Sequence, residues 1–199
     1  LLEVLSLLVP RAWLTGRVTP AVLVRKISGI NPTLLLDETD ATFNGNKEFS
    51  EALRGVLNSG YRREGAYSIC VPERGEWVYK DFLVFGPKAL AGIGNLPDTV
   101  QDRGIPIEMR RKLKTEEAEK FRRRKVVQDA IPLADALATW AYEAVPILEL
   151  TEPNIPEKLN DRAADVWEPL LAIADMAGGE WPAWARQSDI ALSGDPVQE

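Results

Sequence analysis

The chain has 199 residues, 45% of them apolar and 27% charged, and a net charge of −6: the composition of an ordinary soluble globular protein, long enough for one domain and part of another. It holds no histidine and one cysteine, Cys70. That excludes an internal disulfide, cysteine-based zinc clusters, Ser-His-Asp and Cys-His nucleophiles and the usual zinc hydrolase sites.

Any catalysis therefore rests on carboxylates, Arg, Lys, Asn and a hard metal such as Mg²⁺. Cys70, within Ser68-Ile69-Cys70-Val71, is expected to be a small buried hydrophobe. The opening run Leu1 to Val9 is too short to span a membrane and contains Glu3; it lacks the basic leader and cleavage site of a secretory signal. The expected location is the cytoplasm. A first residue of Leu rather than Met reads as an excerpt cut inside a helix. Charge is unevenly spread. Arg110 to Lys125 holds nine Lys and Arg against three Glu, and from Val126 onward fourteen acids face three bases. A basic belt between a nearly neutral body and an acidic remainder suggests two lobes.

In chain order, Leu1 to Leu8 reads as a mostly apolar helix stopped by Pro10, and Arg11 to Leu14 as a short strand. Thr19-Pro20 supplies an N-cap and a first-turn proline for a helix through Ile27 that ends near Gly29. The apolar run 33–36, punctuated by Gly29 and Pro32, has the length of a buried strand. Thr39 to Lys47 reads as a loop. Phe49, Leu53, Val56 and Leu57 have amphipathic helical spacing, closed by Asn58-Ser59-Gly60. Ala66 to Val71 and Glu76 to Asp81, around Pro72-Glu73-Arg74-Gly75, read as a β-hairpin.

Two apolar runs follow, Phe82 to Phe85 and Lys88 to Ile93; Asp98 to Arg103 reads as a turn or short helix, and Ile105 to Met109 alternates like a strand. This rhythm is that of an α/β domain with a largely parallel sheet, ending near residue 112. Thr115 opens a helix with Glu in its first turn and Arg122 to Lys125 in its last. Ile131 to Tyr142 is a second helix, Pro146 to Pro156 a loop with three prolines, and Leu159 to Ala177 a third helix stopped by Gly178-Gly179. Trp181 to Leu192 is the last helix, and Ser193 to Glu199 look frayed.

The stretch with chemistry in it is Pro32-Thr33-Leu34-Leu35-Leu36-Asp37-Glu38-Thr39-Asp40. Carboxylates at the carboxyl end of a buried strand sit in the crevice where open α/β sheets bind ligands. In nucleoside-triphosphate motors the first such acid holds Mg²⁺ and a neighbouring group orients the attacking water. The plainer reading is a core strand whose Asp37 caps the next turn.

Together, "PTLLLDETD", "EALRGVLNSGYRR", "FGPKALAGIGNLPDTVQDRGIPIEMRR" and "LNDRAADVWEPLLAIADMAGGEWP" resemble a domain family of unknown function. That family occurs at the ends of primase- and helicase-like proteins carried by phages and mobile elements. It is similar in layout to the AAA+ ATPases, especially the minichromosome-maintenance helicases. The likeness runs from Leu1 to about Ser193. It implies an α/β P-loop NTPase core of AAA+ type over residues 1–112, with an all-helical lid over 113–199.

The resemblance also implies roles. Asp37 and Glu38 match the Walker B pair, Asp37 holding the Mg²⁺ shell and Glu38 polarising water. Asn95 falls where such motors keep a polar sensor of the γ-phosphate; it is otherwise a loop residue before Leu-Pro. Arg103 matches the arginine finger that completes a neighbouring subunit's site, although Gly104 stands where many relatives have Phe. The bland alternative is an Arg paired with Asp98 or Asp102. Arg162 looks like the second sensor arginine of the lid, or else a surface ion pair with Asp161 or Asp165. In the helicases a hairpin at this place touches DNA, and Arg62, Arg63, Arg74 and Lys80 have the right charge for phosphates; an ordinary solvated hairpin is the alternative. The Arg110 to Lys125 belt reads as a solvated charged helix, and the six tryptophans as core and lobe-interface residues.

No Gly-x-x-x-x-Gly-Lys-Ser/Thr is present, and a phosphate cradle needs those amides and that lysine. The first helix is what would follow such a loop, so the excerpt alone is expected to bind nucleotide poorly. The expected whole is an ATP- and Mg²⁺-dependent motor acting on DNA as a homo-oligomeric, hexameric ring of a mobile-element helicase or primase-like protein. The rival is a non-catalytic ATPase-shaped adaptor that binds DNA or a partner protein. A carboxylate hydrolase using Asp37, Glu38 and Asp40 is disfavoured, because adjacent strand residues point to opposite faces.

Overall fold

The computed structural model describes residues 1–16, 18–43, 45 and 47–193; the end of the stretch read as frayed lies outside them. The chain divides into two compact units, Leu1–Val100 and Gln101–Glu199.

The first unit is built on a three-stranded sheet with order β1 (Ala12–Thr15), β2 (Thr33–Leu36), β5 (Lys88–Leu90), all parallel. Leu34 lies opposite Trp13 and Lys88, and Leu36 opposite Thr15 and Leu90. Every residue of β2 is buried, the mark of a parallel strand covered on both faces. The apolar core joins Leu34 and Leu36 to Leu23, Val24 and Ile27 of α2 (Pro20–Ile30) and to Phe49, Leu53, Val56 and Leu57 of α4 (Lys47–Ser59). The α2 start is as its sequence dictates: the Thr19 hydroxyl accepts the Val22 amide and Pro20 holds the first turn. Its end is Asn31 in the left-handed conformation, so Gly29 lies inside the helix.

The hairpin is real and longer than its apolar runs suggest: β3 (Ala66–Glu73) pairs antiparallel with β4 (Glu76–Leu83). Pro72 lies within β3 opposite Trp77, and the turn is Arg74-Gly75 with φ of 52° and 90°. Pairing sorts the side chains by face. Tyr67 and Phe82 pack against the core, and a Cβ on Gly55 of α4 would come 2.6 Å from the Tyr67 ring. The opposite face carries Cys70, Pro72, Trp77 and Tyr79, all exposed. Cys70 is therefore not a buried hydrophobe, because it alternates onto the open side of the ribbon.

Lys88 pins the hairpin's root. Its ammonium donates to the carbonyls of Gly60 at 3.0 Å, Val84 at 3.0 Å and Gly86 at 2.8 Å, and burial pushes its pKa down to about 8. It ties the end of α4 and the exit of β4 to the start of β5.

The second unit is helical: α6 (Arg123–Leu148), α7 (Asp161–Ala177) and α8 (Trp181–Ser193). Its small core is Ala163, Trp167 and Leu171 with Ile105, Ile155, Leu159 and Ala185 against it. Asn160 caps α7 by accepting the amides of Arg162 and Ala163, and Gly178 ends it. Arg186 grips Asp175 with two bonds of 2.7 and 2.8 Å, and the Asp175 carboxyl is held below the usual carboxylate range by that pairing.

Several expectations fail. The Leu1 to Leu8 helix is cut to α1 (Leu2–Leu5) followed by turns. Part of the expected loop after residue 38 is a short helix, α3 (Thr39–Phe43). By contrast, Asp98 to Arg103 does form the expected short helix, α5 (Asp98–Gln101). Ile105 to Met109 forms no strand: Ile105 is used by the second unit's core, while Ile107 and Met109 are exposed. The expected helix from Thr115 is irregular until Arg123, because Glu116 turns back to accept from Arg110 and the Leu113 amide instead of supporting a first turn. α6 then runs through both Pro132 and Pro146, absorbing part of the proline loop. Of the tryptophans, Trp167 is buried, whereas Trp77 is 74% exposed and Trp181 and Trp184 stack edge-to-face in the open.

Candidate functional site

β2 delivers Asp37 and Glu38 to the carboxyl edge of the parallel sheet. The Asp37 amide donates to the Thr15 carbonyl at 3.0 Å, carrying the β1–β2 ladder one residue further. The Asp37 carboxylate then accepts the Glu38 amide at 2.9 Å. Glu38 takes φ of 54°, a left-handed conformation that costs a residue with a Cβ about 1–2 kcal/mol. Backbone strain of this kind persists where the surroundings hold it in place, and it gathers at functional sites.

The chain next enters α3 and is tied to the loop after β5. Both the amide and the hydroxyl of Thr39 donate to the Ala91 carbonyl, at 3.0 and 3.1 Å. The Asp40 carboxylate accepts the Ile93 amide at 3.2 Å. Asp37, Glu38, Asp40, Gly92 and Ile93 thereby line an open cleft of about 510 Å³. Gly92 is required there: a Cβ would lie 2.3 Å from the Thr39 hydroxyl and 3.0 Å from the Asp40 amide.

A rim of three carboxylates draws cations. Among the described residues no group of three or more His, Cys, Asp or Glu side chains could hold a metal ion by itself. The hard oxygens of Asp37 suit Mg²⁺, which takes one or two carboxylates and completes its shell with phosphate oxygens and water. The residues present fit that mode.

The structure thus brings Asp37 and Glu38 together at the cleft and adds Asp40, which the sequence offered only for a disfavoured hydrolase. Asn95 follows β5 in the same loop as Gly92 and Ile93, is exposed, and is not among the lining residues. Arg103 belongs to the second unit and is half-buried. Arg162 pairs with Asp102 at 3.1 Å.

The four hairpin bases do not form one patch. Arg62 and Arg63 sit at the root beside the rings of Tyr61 and Phe85, Lys80 lies over Phe82 on the packed face, and Arg74 is at the tip. Glu64, Glu73, Glu76 and Asp81 accompany them, so this segment carries no net charge. What the sequence reading missed is the open aromatic face, with Trp77 74% and Tyr79 86% exposed. The signal was there in the period-two alternation of Cys70 and Pro72 against Trp77 and Tyr79.

Residues 108–197 match a family described as a protein of unknown function (DUF3631). That match lies in the helical unit. An uncharacterized 28.9 kDa protein in the xis 5′ region of Saccharopolyspora erythraea is 44% identical over 84 residues, covering 42% of this chain and 31% of that protein. The chain thus spans less than a third of that relative's length. No solved structure matches the chain. Among the described residues no helix is long and apolar enough to cross a membrane.

Proposed function

We propose that the first unit carries the metal-holding and water-activating side of an ATP-hydrolysing site. The observation that carries this reading is Glu38, kept in a strained backbone conformation on the lip of an acidic cleft at the carboxyl edge of a parallel sheet. Asp37 would hold Mg²⁺, which neutralises phosphate charge when bound. Glu38 accepts a proton from the attacking water, and the Ile93 amide holds Asp40 beside it. The phosphate cradle would come from residues outside this chain.

In this reading the active form is a homo-oligomeric ring, with Arg103 completing a neighbour's site and Asn95 and Arg162 sensing the nucleotide. The substrate acted upon is DNA, and the setting is a helicase or primase-like protein of a mobile element; the relative's place in an xis 5′ region supports that setting. Support for nucleic acid comes less from charge than from Trp77 and Tyr79, since exposed aromatic rings stack on single-stranded bases. Replacing both by Ala should weaken single-stranded DNA binding of the full-length protein by about 1–3 kcal/mol per stacked base; unchanged affinity removes the hairpin from the interface.

The deciding experiment is Glu38→Gln in the full-length protein. It should retain ATP and lower turnover by about 10²-fold or more. Turnover at the parental rate would end the assignment. The absent Gly-x-x-x-x-Gly-Lys-Ser/Thr favours the adaptor as second reading, and a full-length protein that binds no ATP would establish it.

A further inference from the structure

We propose that the basic belt Arg110 to Lys125 binds the phosphate backbone of a single-stranded nucleic acid, by charge and without reading sequence. This extends the nucleic-acid part of the proposed function to the helical unit, and it needs neither ATP hydrolysis nor the hairpin. The sequence alone suggests a helix from Thr115 with Arg122 to Lys125 in its last turn, where the dipole favours cations. The structure puts those bases at the opposite end of a helix. Residues 116–122 are irregular, α6 begins at Arg123, and Arg122 is its N-cap with no acid in the first turn. Cations there oppose the dipole, so helix stability does not explain them. A local rule broken without structural gain is the mark of a functional position.

All nine Lys and Arg of the belt are exposed. Its acids are already engaged in part: Glu116 is gripped by Arg110, and Glu119 lies 3.9 Å from Lys125. Among the described residues, the side chains of Arg111, Lys114, Lys120, Arg122 and Arg124 make no ion pair. Five unpaired cations on one segment call for a polyanion, and the surroundings select which. A membrane is a plane and would face the acidic remainder as well, where fourteen acids meet three bases. Asp129 lies only about 6 Å along α6 from Lys125, inside a Debye length of about 8–10 Å. A single strand is narrow enough to touch the belt alone. Arginine forks match phosphate oxygens, and Phe121, 50% exposed between Lys120 and Arg122, offers a ring to an unpaired base. An acidic peptide or a closed duplex would leave that ring unused.

Fluorescence anisotropy of the 199-residue chain with a labelled mixed-sequence DNA strand, without nucleotide, tests this. Binding should be micromolar at about 50 mM salt, and raising salt fourfold should weaken it about a hundredfold, a log–log slope of roughly −3.5 for five bases. The triple variant Lys120→Gln, Arg122→Gln, Arg124→Gln should bind about tenfold or more weakly at the lower salt, with a slope shallower by about 2. Its Tm should be no lower than the parent's, since the change relieves the helix dipole, so a loss of binding is not a loss of fold. Trp77→Ala with Tyr79→Ala should leave the slope unchanged, because stacking carries no charge; this separates failure of the belt from failure of the hairpin. No binding by the parent chain, or an unchanged slope in the triple variant, overturns the proposal. Tighter binding to phosphatidylserine vesicles, to polyglutamate or to a duplex of the same sequence overturns it as well.

Discussion

Thr39, three residues beyond β2, and Ala91, one beyond β5, are joined twice: the threonine's amide and its hydroxyl both donate to the alanine carbonyl, at 3.0 and 3.1 Å. This link closes the floor between two neighbouring strand ends, and Asp40 continues it by accepting the Ile93 amide. The acidic cleft is therefore a property of two loops locked together, and the lock depends on Gly92.

Gly92→Ala should break it. The added methyl meets the Thr39 hydroxyl at 2.3 Å and backbone at 3.0 Å, so α3 or the β5 loop must move. Overpacking of this kind costs about 1–3 kcal/mol. Denaturant melts of the first unit's transition measure that loss. Under the proposed ATP-hydrolysing reading, turnover of the full-length protein should fall further than stability alone accounts for, because Asp40 and Glu38 shift with the loop.

Glu38 offers a test of strain separate from chemistry. At φ of 54° glycine is at ease and alanine is not. Glu38→Gly should be more stable than Glu38→Ala by about 1 kcal/mol, although both lose the carboxylate. Equal stabilities in denaturant melts would show that the left-handed conformation is not held in solution.

The central strand and the cleft's first two acids were legible because both are local signals: an unbroken apolar run in a parallel sheet and charge at its exit. Thr19-Pro20 and Asn160 likewise announced their helices through caps. What failed depended on contacts distant in sequence. Ile105 to Met109 alternates like a strand, yet Ile105 joins the cluster around Trp167. Glu116 looks like a first-turn helix acid until Arg110 and the Leu113 amide claim it. Asp40 could not be placed without knowing that the Ile93 amide, 53 residues on, would reach it. Trp77 is counted with the other tryptophans as a core or lobe-interface residue, whereas hairpin register decides its face.

Asp189 gives a pH-dependent prediction. It is fully buried in α8 with no full hydrogen bond to either carboxylate oxygen, and the nearby Arg186 is engaged by Asp175. Burial raises its pKa more than the Ile190 amide and the Arg186 charge lower it. The folded state therefore binds a proton more tightly than the unfolded chain does. Stability from this group is full below the ordinary aspartate range and is lost as pH rises through the raised value. Asp189→Asn keeps the shape and removes the charge. At pH 7 it should stabilise the helical unit by up to about 1 kcal/mol, roughly 4–8 °C in Tm. The advantage should shrink as pH falls and vanish below the ordinary range, near pH 4. Asp175 titrates alike in both chains and cancels from the difference. Calorimetric scans of both chains across that range measure it; a gain independent of pH would mean that folding does not raise the Asp189 pKa.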